Sequence, residues 1–209
     1  MRKRLVIFDM DGTLADSSRA IANAINFVRS RLELAPMDPA SIVTSINDPH
    51  LNAAEYFYES EHFEPRHEEW FAEYYSAHHH KELFLYGGIK EMLDRIKARG
   101  CLLAVATNAY RRSTLETLKH LGILEYFDAV ASYDDVPRGK PAPDMLLKIL
   151  DELVCRPDES LFVGDGHRDR MAAEEAGIDF ALVEWGFSDH DEALQNVAEL
   201  TALLEKECF

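Results

Sequence analysis

The sequence predicts an α/β protein, a doubly wound parallel sheet with an all-helical segment inserted after its first strand. Three observations carry this. Residues 4–8 hold a short apolar run of strand length that leads straight into aspartates. From residue 88 onward, buried-looking runs alternate with amphipathic stretches, the pattern of a parallel sheet covered on both faces. Between 17 and 84 the apolar spacing is helical and no strand pattern occurs.

Taken in order, "LVIF" predicts the first strand, within 4–8. Residues 17–33 predict a helix, since Ile21, Ala24, Ile25, Val28 and Leu32 recur at helical spacing. The stretch 36–49 is rich in Pro, Ser and Asp and predicts a loop with a short helix inside it. Residues 51–62 and 66–82 predict aromatic-rich helices, with Tyr56, Phe57, Tyr58, Trp70, Phe71, Tyr74 and Tyr75. After "YGG", residues 88–99 predict an amphipathic helix stopped by Gly100. "CLLAVAT" predicts a strand, "RRSTLETLKHLG" a helix and "FDAVAS" a strand. "APDMLLKILDELV" predicts a helix that Pro143 can start. "SLFVGD", "RDRMAAEEAG", "DFALVE" and 190–206 predict strand, helix, strand and helix. The expected organisation is a core of 1–15 and 85–209 with a helical cap of 16–84.

The formal charge is −16, from 38 acidic and 22 basic residues. That argues against nucleic acid or an anionic membrane as the main partner. It leaves room for a small anionic substrate, because a site makes its own local field. Cys101, Cys155 and Cys208 show no CxxC or Cys/His spacing. A reducing compartment, the cytoplasm, is the expectation. No apolar run is long enough for a membrane span. His78, His79 and His80 are adjacent in a predicted helix and point in three directions, so they make no metal site by themselves.

In an open parallel sheet, ligands collect at the carboxyl ends of the strands. The first strand ends in Asp9, with Asp11 just beyond; the next core strand ends in Thr107 and Asn108. "VGDGHRD" places Asp165 and Asp169 at another strand end, and Lys140 lies in the loop "RGKPAP". "DGT" alone is a common turn, and a lone lysine is usually solvated. The joint appearance of these groups at strand ends points to phosphoryl transfer. Asp9 can attack phosphorus, and Asp11 can protonate the leaving oxygen and then activate water. Carboxylate and phosphate repel, so a cation must lie between them. Asp9, Asp165 and the Asp11 backbone carbonyl can hold Mg²⁺, with Asp169 in its shell. Thr107 and Lys140 can hold phosphoryl oxygens. Gly12 allows close backbone approach, so amides near Gly12 and Thr13 can donate to the phosphate, beside Asn108.

These residues resemble the haloacid dehalogenase superfamily, in the subgroup with a helical cap after the first motif. "DMDGT", "ATN", "GKPAPD" and "VGDGHRDRMAAEEAG" match its four motifs. The resemblance implies a Rossmann-like core, Asp9 as nucleophile, Asp11 as acid/base, and magnesium at Asp165 and Asp169. "DDVPRGKPAPDMLL", "TNAYRRSTLETL" and "WGFSD" resemble core segments of phosphoglycolate-phosphatase-like enzymes. The second motif departs from that group at Ala109 and Tyr110, and the cap loop reads "SINDPHLNAAEYF". Asn47, His50 and Asn52 in that loop are candidate substrate contacts; capping of a helix by Asn47 or Asp48 is the competing reading.

The expectation is a Mg²⁺-dependent phosphatase for a small phosphorylated metabolite, phosphoglycolate among the candidates, acting as monomer or homodimer. A phosphomutase and a non-catalytic regulatory domain are the alternatives. A dehalogenase is disfavoured, because displacing a halide leaves no oxygen for Asp11 to protonate.

Overall fold

The computed structural model describes residues 2–46, 48, 50–186 and 193–208. In chain order its strands and helices begin with β1 Leu5–Phe8, β2 Ala15–Asp16, α1 Ser18–Arg31, α2 Pro39–Ser45, α3 Ala53–Tyr58, α4 Pro65–Glu82 and β3 Phe84–Leu85. There follow α5 Ile89–Ala98, β4 Leu102–Ala106, α6 Arg111–His120, β5 Ala129–Ala131, α7 Asp144–Glu152, β6 Ser160–Gly164, α8 His167–Ala176, β7 Asp179–Leu182 and α9 Val197–Glu207.

Five parallel strands form one sheet in the order β5-β4-β1-β6-β7. Strand β1 is central, with Leu5 in register with both Leu102 and Ser160. Its alternate residues serve opposite faces. Leu5 and Ile7 pack with Met145, Leu146 and Ile149 of α7 and with Ala172 and Ala173 of α8. Val6 and Phe8 pack with Ile89, Met92, Leu93 and Ile96 of α5, Leu118 of α6 and Leu200 and Leu204 of α9. Burial on both faces explains why "LVIF" is continuously apolar.

Helices α1 to α4 lie between β1 and α5 in the chain, and α1 packs along α4. They share a separate apolar cluster of Ala22, Ile25, Val28, Ile42, Phe57 and Tyr58. A second small cluster of Ala15, Ala20, Tyr75 and Leu83, with Leu121 against it, joins this segment to the sheet domain.

Four expectations are corrected. Phe84 lies in a strand after all: β2 and β3 form a two-residue antiparallel ladder, Ala15 to Leu85 and Asp16 to Phe84. The helix expected over 51–62 is shorter, because Glu59 takes the left-handed conformation (φ 53°) and closes α3. Asn52 supplies its N-cap, accepting from the amides of Ala54 and Glu55. Neither Asn47 nor Asp48 therefore starts that helix. The last helix does not start at 190. Leu194 bridges Val183, and Asn196 caps α9 by accepting from the Glu199 amide. No helix is long and apolar enough to cross a membrane among the described residues.

Candidate active site

The carboxyl ends of β1, β4 and β6 lie side by side, and the polar residues that follow them meet there. Asp9, Asp165, Asp169, Lys140 and Thr107 are all buried, each between 1% and 6% exposed. Lys140 Nζ donates to Asp9 Oδ1 at 2.5 Å and pairs with Asp169 Oδ1 at 2.6 Å. Burial would expel the ammonium's charge, yet Asp169 and Asp9 outweigh it and hold the Lys140 pKa above its ordinary range. Burial pushes the Asp9 carboxyl well above the ordinary range; Lys140 opposes this, and Asp169, Asp165 and Asp11 add to it.

Asp9, Asp165 and Asp169 each present a carboxylate oxygen within 4.8 Å of the others. Three buried oxygen donors and no nitrogen or sulfur make a set that fits a hard divalent cation such as Mg²⁺. Asp169 is oriented by the Gly166 amide, which donates to its Oδ2 at 3.1 Å. Burial also raises the Asp11 carboxyl, while the neighbouring Ser17 hydroxyl and Lys140 pull the other way. Asp11 therefore keeps a proton to higher pH than a free aspartate does.

The loop after β1 is closed by its own backbone. Leu14 and Ala15 N–H donate to the Met10 carbonyl, and Gly12 N–H donates to the Ala15 carbonyl. The Gly12 amide, expected to face the phosphate, is engaged by the Ala15 carbonyl. Its need is steric: φ is +83°, and a Cβ there would collide with the Asp165 carboxylate. Thr13 is fully buried, with a hydroxyl that has no hydrogen-bond partner among the described residues. Thr107 Oγ1 accepts from the Ala109 amide at 3.1 Å.

Asn108, expected as a substrate contact, bonds the Lys140 backbone at both ends of its amide. Its Oδ1 accepts from Lys140 N at 2.8 Å and its Nδ2 donates to Lys140 O at 2.9 Å. Both ends of the amide hold the peptide that carries the lysine. His50 is exposed and is not brought to the buried carboxylates; its N–H donates to Asp48 Oδ1 at 2.8 Å. Asn52 is occupied in capping α3 and in a bond to the Glu61 carbonyl. Asn47 lies outside the described residues. Asp16 accepts from Ser18 N and Oγ at the start of α1.

Several groups at the site escaped the sequence reading. Trp185 Nε1 donates to the Thr13 carbonyl at 3.0 Å. A Cβ on Gly186 would collide with the Gly12 carbonyl. Both residues follow β7, so the strand-end rule could have flagged them. Ser17 beside Asp11 has no comparable signal. From the helical segment, Tyr75 of α4 lies near Asp11, and its phenol is pushed up by burial and then by that carboxylate. Tyr110 donates to Glu68 of α4 at 3.0 Å, and Arg168 donates to the Asp48 carbonyl at 3.2 Å. These contacts hold the helical segment against the sheet.

The family model for haloacid dehalogenase-like hydrolases matches residues 6–183. A phosphoglycolate phosphatase of Chromobacterium violaceum is 30% identical over 97% of this chain and 96% of its own length. A pyrophosphatase, PpaX, of Halalkalibacterium halodurans is 28% identical over 91% of this chain and 88% of its own. A solved structure from Haemophilus somnus, described as a predicted phosphoglycolate phosphatase, superposes with a TM-score of 0.79 at 28% identity, covering 89% of this chain and 87% of that one.

Proposed function

The chain belongs to the haloacid dehalogenase-like hydrolases and is a phosphatase, and from that premise we propose that it hydrolyses a small phosphomonoester by way of an aspartyl-phosphate on Asp9. The observation that carries the reading is the buried convergence of Asp9, Asp165 and Asp169 around Lys140, with Asp11 pushed toward its protonated form beside them.

Asp9 attacks phosphorus, forming a P–O bond while the ester P–O bond breaks. Asp11 gives its proton to the departing oxygen. Water then attacks the phosphorus, Asp11 takes a proton from it, and the bond to Asp9 breaks to release phosphate. Lys140 and Thr107 hold the phosphoryl oxygens, and Asn108 holds Lys140 in place. Asp9, Asp165, Asp169 and the Asp11 carbonyl would hold Mg²⁺, which when bound supplies charge neutralisation between carboxylate and phosphate.

Residues 16–84 are read as a cap over residues 1–15 and 85–209, hinged at the β2–β3 ladder. Asp9 is only 6% exposed, and motion of the cap to admit substrate is part of this reading. Phosphoglycolate is the first substrate to try, because a relative at 30% identity carries that name; pyrophosphate is the second.

The test is hydrolysis of a generic aryl phosphate with and without Mg²⁺, followed by a screen of phosphorylated metabolites. Asp9→Asn is nearly isosteric and is expected to fold while losing turnover. Near-normal activity in that variant would overturn the nucleophile, and activity that survives chelation would overturn the metal. An isomer produced from a phosphosugar without free phosphate would identify a mutase instead.

A further inference from the structure

The run His78-His79-His80 has no part in the chemistry above. Adjacent helical residues diverge, and His78 stacks on Tyr74, with ring centres 4.1 Å apart. The other two meet a third imidazole from the far side of the domain seam. His120, the last residue of α6, lies 5.6 Å from His79 and 6.5 Å from His80 between ring centres, and His79 and His80 are 5.9 Å apart. All three pairs are nearly perpendicular. His79 Nδ1 lies 3.0 Å from the Tyr75 carbonyl, which can only accept, so that nitrogen carries the proton. The His79 ring also stacks on Tyr75, at 5.7 Å and 8°. Tyr75 in turn lies near Asp11.

In sequence, Lys81 follows the trio on α4 and Lys119 precedes His120 on α6. From α5, Lys90 Nζ reaches the turn at Gly122, 4.0 Å from where a Cβ would stand. The carboxylates nearest in sequence are engaged elsewhere: Glu82 accepts from Asn23 and Tyr74, and Glu116 pairs with Arg112. Burial lowers the His120 pKa, and His79 and His80 lower it further, with no anion opposing them. The cluster does not present a shared ion position. Among the described residues, only Asp9, Asp165 and Asp169 bring ligand atoms within 4.8 Å of one another.

We propose that His79, His80 and His120 form a proton-operated latch between α4 and α6, which lets the cap rest on the core while the rings are neutral and pushes it off when they are charged. The sign follows from linkage. With the cap closed His120 binds its proton less readily than with the cap open. Closure is therefore favoured above the ordinary imidazole range of about 6.5. That preference fades as pH falls through this range and is gone below the lowered closed-state value. Because Tyr75 stacks on His79 and feels the charge of Asp11, release of α4 also changes the surroundings of Asp11.

This proposal rests on reading 16–84 as a movable cap, so the experiment separates the two. Spin labels are placed at Glu69→Cys on α4 and Asp151→Cys on α7, both exposed, and their distance distribution is measured on the full chain. Adding Mg²⁺ with a phosphate mimic at pH 7.5 tests cap motion alone. Lowering the pH from 7.5 to 5.5 tests the latch. The latch predicts a longer-distance population at pH 5.5, absent in His79→Gln/His80→Gln/His120→Gln. It also predicts that His120→Lys shows the long population already at pH 7.5. A ligand response without a pH response overturns the latch and keeps the cap. No response to either overturns both. A triple variant that retains the full pH response, or a His120→Lys variant that stays closed at pH 7.5, also overturns the latch.

Discussion

Lys140 holds two buried carboxylates apart with one charge, and so its removal exposes what the site costs to fold. In Lys140→Met, Asp9 and Asp169 face each other without a cation. Breaking a buried pair costs about 3–5 kcal/mol. The expected loss is near the lower figure, because burial already favours a proton on Asp9. Denaturant unfolding at pH 7 measures it, and hydrolysis should fall on the order of 10²-fold or more. Asn108→Ala leaves every reacting group in place but frees the Lys140 peptide. It is expected to destabilise by about 1–3 kcal/mol and to lower kcat more than it raises KM. An unchanged kcat would refute the positioning role. These residues differ in how far the sequence revealed them. Asp9, Asp165, Asp169 and Lys140 were legible because each follows a strand end. The partner of Asn108 was not, since nothing in "ATN" tells whether an amide faces a substrate or a peptide 32 residues away.

Strands and helices of the core follow local rules, and their limits fail where a distant contact competes. Helix α9 is the clear case. Ala193 and Leu194 extend its apolar pattern backwards, but Leu194 N–H donates to the Leu182 carbonyl, and the Glu184 amide donates back to Leu194. The helix starts only where Asn196 can cap it. Asn196→Ala should cost about 1 kcal/mol, read as a lowered Tm, with kcat/KM unchanged; a large loss of activity would mean that α9 does more than cover the sheet. The β2–β3 ladder failed to announce itself for another reason. Two residues are too few to show a period of two, and only the pairing of Asp16 with Phe84 makes them strands.

At the scale of the whole molecule, pH reports on what burial has done to Asp11. In the proposed mechanism Asp11 serves as an acid only while protonated. Its raised pKa keeps it so above the ordinary carboxylate range, and turnover is expected to decline as pH rises through the shifted value. The same shift means that the folded chain binds more protons than the unfolded one. Asp11 therefore contributes less stability as pH climbs out of the acid range. Asp11→Asn should remove the alkaline limb of the rate profile along with most of the rate. A limb that persists in this variant would assign it to another group. The sequence by itself determined the alternation of core strands and helices and the loops in which carboxylates and lysine appear, because apolar period and strand-end chemistry are local. Only the tertiary structure decided which of these groups touch. It gave the Gly12 amide to Ala15 and the Asn108 amide to Lys140, and brought His120 to His79 and His80 across the seam. Those pairings depend on how helices from separate stretches of chain pack, and no local pattern encodes that.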